Sequence, residues 1–195
     1  MKLVFLLEES SMKYLLDELL PQIIPHQIAY QTIPHNGKSD LERSLPRKLK
    51  AWNEPDVHFV VVHDQDNKNC IELKENLRQL CADSGRPVLI RIACQELEAW
   101  YFGDFPALIS AYGSNGSKRL IDLSRKRKYQ VPDNIQNPKE ELYRIIPSFQ
   151  QIAGAKRVAP LMNIDHNTST SFNAFINGVK RFSVLQISQE SLDRQ

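Results

Sequence analysis

The sequence predicts an α/β fold with a mostly parallel four-stranded sheet flanked by helices, plus a helical C-terminal extension. Three observations predict it. Short apolar runs rich in Val, Ile and Leu recur at 3–7, 57–62 and 88–93, with a weakly alternating stretch at 26–33, each of strand rather than helix length. Apolar residues at helical spacing fill the gaps, so successive strands are joined by helical crossovers, and crossovers of that length join parallel strands. After Ala93 the strand pattern stops and helical patterns take over.

Taken in order, residues 3–7 read as a strand buried on both faces. Met12, Leu15, Leu16, Leu19 and Leu20 mark a helix that Ser10 and Ser11 cap and that Pro21 and Pro25 punctuate at its end. The 26–33 run alternates weakly and gives a second strand. Gly37-Lys38-Ser39-Asp40 leads into a helix carrying Leu41, Leu45, Leu49 and Trp52, with Pro46 interrupting it or starting its second half. The 57–62 run is too short and too β-branched for a helix and forms the third strand. Ile71, Leu73, Leu77, Leu80 and Cys81 mark the next helix, Gly85-Arg86-Pro87 a turn, and 88–93 the fourth strand. Beyond it, 96–100 and 105–112 read as short helices, and 138–146, 148–161 and 169–182 as helices opened by Pro or capped by Ser. The tail from Gln186 is polar and expected to fray. We read 1–195 as a single domain: a 1–112 α/β core, a 113–137 polar loop and a 138–195 helical extension.

A chain of 195 residues suffices for one substantial core. The net charge is only +2, so any basic surface must be local. Cys70, Cys81 and Cys94 are odd in number and match no zinc-ligand spacing, which fits structural thiols in a reducing cytosol. The apolar N-terminal run ends at Glu8, too early for a signal peptide or a membrane span, so a cytoplasmic protein without membrane association is expected.

Acidic residues follow three of the four strands: Glu8 and Glu9, Asp64 and Asp66, and Glu96 and Glu98. In a parallel sheet these strand ends share the carboxyl edge, where open α/β sheets place their ligands. Two carboxylates about 4 Å apart repel by about 4 kcal/mol at an effective dielectric of about 20. Mg²⁺, which prefers oxygen ligands, removes that penalty. Helix N-termini also attract acids, so capping in a solvated loop is the competing reading of each pair. Residues two apart on a helix face different directions, which leaves one of Glu96 and Glu98 to reach a metal.

A buried strand ending in Glu, then a helix, and later a buried strand ending in Asp-x-Asp resembles the Toprim domain. That domain occurs in topoisomerases, bacterial primases and the overcoming-lysogenization-defect (OLD) nucleases. Leu6-Leu7-Glu8-Glu9-Ser10-Ser11-Met12, His63-Asp64-Gln65-Asp66, Glu96-Leu97-Glu98-Ala99-Trp100, Asn137-Pro138-Lys139 and Ser169-Thr170-Ser171-Phe172 further resemble a bacterial family of unknown function, family 4276, in the Toprim-like superfamily. The resemblance implies a Toprim-like Rossmannoid fold and a metal-dependent phosphodiester hydrolase using Mg²⁺ or Mn²⁺. It puts the role of metal ligand or general acid/base on Glu8 and the Mg²⁺-coordinating roles on Asp64 and Asp66. Glu98 is similar to the later carboxylate of OLD-type nucleases, with Glu96 beside it; of the two, Glu98 is favoured. Many Toprim motifs have Gly where this chain has Glu9, a side chain that crowds a phosphate or adds a ligand, so Glu8 and Glu9 are not distinguished. Lys139 stands at a helix start, where the dipole disfavours a cation, and the resemblance supports a catalytic role there in neutralising a phosphoryl transition state. OLD-like nucleases commonly work with ATPases in anti-phage defence, which implies a partner ATPase; this chain carries no ATPase motif.

Arg125-Lys126-Arg127-Lys128-Tyr129, with Lys118-Arg119 upstream, is the dense basic stretch, fit to hold a DNA or RNA backbone while Tyr129 stacks on a base. A solvated face is its bland alternative. His35-Asn36-Gly37-Lys38-Ser39 lacks the full P-loop pattern and reads as a turn with a Ser39 cap. His63 reads as a satisfied strand-end histidine, Ser169 and Ser171 as caps of the last helix, and Trp52, Trp100 and Phe102 as core. The rival to a nuclease is a non-catalytic subunit that binds nucleic acid or an ATPase and keeps a vestigial acidic edge. Haloacid-dehalogenase-like phosphatases rank lower, because they place Asp-x-Asp after the first strand with a nearby Thr, whereas here it comes third and precedes Asn67. Nucleotide-sugar glycosyltransferases fit less well, because the chain is short and already carries Glu8.

Overall fold

The computed structural model describes residues 1–113 and 117–192. Its α/β architecture follows from which residues must leave water. β1 (Lys2–Leu7), β2 (Ala29–Pro34), β3 (Val57–Asp64) and β4 (Val88–Ala93) form a four-stranded parallel sheet in the order β2-β1-β3-β4. Side chains alternate across it. Leu3, Phe5 and Leu7 with Val60 and Val62 face α1 (Ser10–Ile23) and the helices that follow β4. Val4, Leu6, Phe59 and Val61 face α2 (Lys38–Ala51) and α3 (Cys70–Ala82). Both faces are covered, and the central strands β1 and β3 therefore read as unbroken apolar runs.

The strand order positions the site. The crossover from β1 leads through α1 to β2 on one side, and that from β3 leads through α3 to β4 on the other. The carboxyl ends of β1 and β3 thus part company between two diverging connections, the topological switch point at which such sheets open a crevice.

The first two helices run slightly differently from the sequence reading. α1 passes through Pro21 to Ile23 and closes with Ile24 N–H on Leu20 O at 2.9 Å, and its first serines lie inside the helix, with Glu9 at the extended cap position. α2 likewise runs through Pro46. β2 starts three residues later than the weak alternation suggested and ends on Pro34, which an edge strand tolerates. α4 (Glu98–Phe102) is short, and α5 (Phe105–Tyr112) has the expected bounds, opened by the Asp104 carboxylate on Ala107 N–H.

The 113–137 stretch is not the expected loop. It carries α6 (Ser117–Ser124) and single 3₁₀ turns at Arg127–Tyr129 and Pro132–Asn134. Its polar composition hid four anchors, Leu120, Tyr129, Pro132 and Ile135, each buried. α7 (Pro138–Ile145), α8 (Gln151–Val158) and α9 (Thr170–Leu192) follow, so the backbone stays helical from Gln186 to Leu192, and the rest of the tail lies outside the described residues. α8 packs on α1, and α9 lies along β4. Among the described residues no helix is long and apolar enough to cross a membrane.

Candidate metal centre

Parallel register builds the first half of the site. Leu7 of β1 is level with Val62 of β3, so the chain leaves β1 beside the last two residues of the longer strand. Glu8 there turns its carboxylate onto β3: Oε2 accepts the Asp64 backbone N–H at 3.0 Å and lies 3.0 Å from His63 Nδ1. The His63 ring is fully buried, with Nδ1 2.5 Å from the Asp64 carbonyl oxygen and Nε2 3.2 Å from Glu42 Oε1. It is therefore wedged between two carboxylates rather than merely packed at a strand end.

The second half comes from α4 and α7. Glu98 opens α4 and is 1 % exposed; Asp64 is 4 % exposed. Lys139 enters from the first turn of α7, where its N–H donates to Glu96 Oε2 at 2.9 Å and its ammonium lies 3.6 Å from Glu96 Oε1. Glu96 thus holds the α7 start and offsets the unfavourable lysine there. The two glutamates diverge as their spacing requires: Glu96 faces α7 and Glu98 faces the interior.

The electrostatics tie these groups together. Burial raises the Asp64 carboxyl well above its ordinary value, and Glu8, Glu98 and Glu9 push it further. Burial lifts Glu98 to about 7, with Lys139 opposing and Glu9 adding to the rise. Burial also raises Glu8, against the opposing pull of His63 and the Asp64 N–H. Burial works against the charge of Lys139, but Glu98, Glu96, Glu9 and Asp64 outweigh it and hold the ammonium firmly protonated. Asp64 Oδ1 and both Glu98 oxygens are buried with no hydrogen bond from another residue. Such orphaned carboxylate oxygens are rare in folded proteins and mark a missing ligand or strain.

The donors are all oxygen and are crowded by like charge, which is what a hard divalent cation requires. Among the described residues no three His, Cys, Asp or Glu side chains are drawn together into a finished cage. Mg²⁺ does not need one: it keeps several waters and is commonly bound through one or two carboxylates plus substrate phosphates. The unpartnered oxygens of Asp64 and Glu98 are donors of the kind such an ion takes.

Asp66 is placed differently from Asp64. Its backbone is left-handed (φ 52°), locked by Asp66 N–H on Gln95 O at 2.6 Å, and its carboxylate accepts from Lys38 Nζ at 2.7 Å. It acts on Glu8 only through its charge. Of the basic run, Arg125, Lys126, Arg127 and Lys128 are exposed. Lys128 pairs with Glu141 at 2.9 Å. Tyr129 cannot receive a base: it is buried, stacked on Phe102 at 5.4 Å, with its hydroxyl donating to Glu141 at 2.5 Å. Ser169 and Ser171 are structural. Ser169 Oγ accepts Phe172 N–H at 3.1 Å as the cap of α9, and the Asp133 carboxylate binds Ser169 Oγ at 2.6 Å and Ser171 N–H at 2.7 Å. One member of the cluster, Tyr101, escaped the sequence reading as a site residue, and Glu9 was left undistinguished from Glu8. Glu9 acts on Asp64, Glu98 and Lys139 alike. Tyr101, one helical turn after Glu98, looked like any core aromatic.

The fold and its buried carboxylates define an α/β protein with an acidic centre at the sheet's switch point. The chain belongs to the family described as domain of unknown function DUF4276, whose profile matches residues 7–180. Its fold is shared with two structures of the C-terminal region of the Xanthomonas campestris pv. campestris OLD protein. The first aligns over 95 % of this chain and 97 % of that one at 12 % identity, with a TM-score of 0.54. The second aligns over 94 % and 97 % at 13 % identity, with a TM-score of 0.51. Comparison with curated proteins found no match.

Proposed function

We propose that this protein is a Toprim-type, divalent-metal-dependent phosphodiester hydrolase acting on nucleic acid. The observation that carries the proposal is the set of buried, unsatisfied oxygens of Asp64 and Glu98 at the switch point, with Glu8 alongside. Asp64 with Glu8 or Glu98 would hold Mg²⁺ or Mn²⁺; Asp66 and Glu96, each engaged by a lysine, stand outside that primary set. When bound, the cation supplies positive charge to a phosphoryl oxygen and eases proton loss from water at neutral pH. The chain supplies the rest. The Asp64 N–H holds Glu8 Oε2, with the His63 ring beside it. Lys139, half-buried and held protonated by its carboxylate neighbours, offers a fixed positive charge to the phosphoryl group as negative charge builds. Exposed Arg125, Lys126 and Arg127 offer the backbone contacts that a polyanion needs. The partner ATPase implied by the resemblance to OLD-like nucleases is part of this reading. It would supply control rather than chemistry.

The test pairs Mn²⁺ calorimetry with cleavage of labelled single- and double-stranded DNA and RNA. The wild type binds Mn²⁺ and cleaves one of these substrates, and Asp64→Asn loses both. Equal Mn²⁺ affinity and equal cleavage by Asp64→Asn would overturn the assignment.

A further inference from the structure

Tyr101 lies three residues after Glu98 in α4, so the two side chains share a helix face. Its ring is 0 % exposed and meets Phe149 edge-on at 6.3 Å. Its hydroxyl is buried with no hydrogen-bond partner. Burying an unpaired hydroxyl costs about 1–3 kcal/mol, and a phenylalanine would fill the same space without that cost. The hydroxyl is therefore not explained by packing. Burial first, then the charges of Glu98 and Glu9 with Tyr112 and Asp64 behind, keep the phenol protonated and so a donor. Both Glu98 oxygens lack a donor from any other residue. An unused donor and an unused acceptor thus sit one turn apart in the buried interior.

We propose that Tyr101 is a positioning residue of the metal centre: its hydroxyl, which bonds no residue in this structure, turns onto one Glu98 oxygen when a cation takes the other. The inference rests on the function proposed above and adds the group that orients a ligand. Ligating carboxylates are normally held by such outer partners, and losing one typically weakens metal binding by about 10–100-fold.

The experiment measures Mn²⁺ affinity by calorimetry, with thermal unfolding of the metal-free protein alongside, for the wild type, Tyr101→Phe, Glu98→Gln and the double variant. Tyr101→Phe keeps the ring and its Phe149 contact. It is expected to raise the Mn²⁺ Kd by about 10–100-fold while leaving the metal-free Tm unchanged or higher. Because the hydroxyl acts through Glu98, adding Tyr101→Phe to Glu98→Gln is expected to change the Kd no further. Unchanged Mn²⁺ affinity in Tyr101→Phe overturns the positioning role while leaving the metal site standing. So does a loss that adds fully to that of Glu98→Gln, or one that merely follows a lowered Tm. A wild type that binds no Mn²⁺ overturns the site and the inference together.

Discussion

Replacing Glu98 by Gln should stabilise the metal-free protein, and by an amount that grows with pH. Burial, partly offset by Lys139 and reinforced by Glu9, sets the Glu98 carboxyl at about 7 in the folded chain against an ordinary 4.5. A carboxyl raised on folding binds more protons folded than unfolded between those two values, so its contribution is intact below pH 4.5 and is lost as pH rises through 7. The loss is about 1 kcal/mol at pH 5 and about 3 kcal/mol by pH 8. Glutamine keeps the shape and never ionises, so Glu98→Gln escapes the loss. For 195 residues, an unfolding entropy of about 0.4 kcal/mol/K converts these figures to Tm gains of about 2 °C at pH 5 and about 7 °C at pH 8. Calorimetric melting in a chelator-containing buffer reads both. A Glu98→Gln protein that melts lower than the wild type at pH 8 would refute the reasoning, because it would mean the carboxylate is satisfied rather than strained.

Other substitutions test separate parts of the account. Lys139→Met should lower the turnover of nucleic-acid cleavage by roughly 100-fold or more with little change in KM, and should also lower the metal-free Tm at pH 8, since four carboxylates lose their shared cation; a changed KM at constant turnover would make Lys139 a binding residue only. Asp133→Ala should cost about 2–4 kcal/mol in urea unfolding, because three hydrogen bonds from Ser169 and Ser171 lose a charged acceptor; a cost below about 0.5 kcal/mol would show that α9 does not depend on this clamp. Neutralising Arg125, Lys126 and Arg127 together, with Lys128 kept for its Glu141 pair, should reduce the slope of log affinity against log salt by about 2–3 for a labelled duplex. An unchanged slope would make the run a solvated face.

The strands and their carboxyl edge were legible because β1 and β3 are buried on both faces, which demands unbroken apolar runs, and Glu8, Asp64 and Glu98 stand just past such runs. α5 was legible for the same kind of reason, a helical apolar pattern opened by Asp104 and Pro106. What stayed hidden depends on contacts between distant residues or on local backbone twist. The left-handed turn at Asp66 hands its carboxylate to Lys38, and nothing in Asp-x-Asp spacing announces that. Burial of Tyr129 follows from Phe102 and Phe105, more than twenty residues upstream. The Ser169–Ser171 motif is answered by Asp133 inside a stretch whose polarity read as loop. Tyr101 was invisible as a site residue because only the finished core reveals that its hydroxyl has no partner.

Asp64, together with Glu8 or Glu98, is proposed to hold a divalent cation. Crystals grown with Mn²⁺ and measured at its absorption edge test this most directly. An anomalous peak is expected between the carboxyl ends of β1 and β3, about 2.1 Å from oxygens of Asp64 and of Glu8 or Glu98. A sheet edge free of Mn²⁺ at millimolar concentration, or a peak bound only through Asp66 or Glu96, would contradict it.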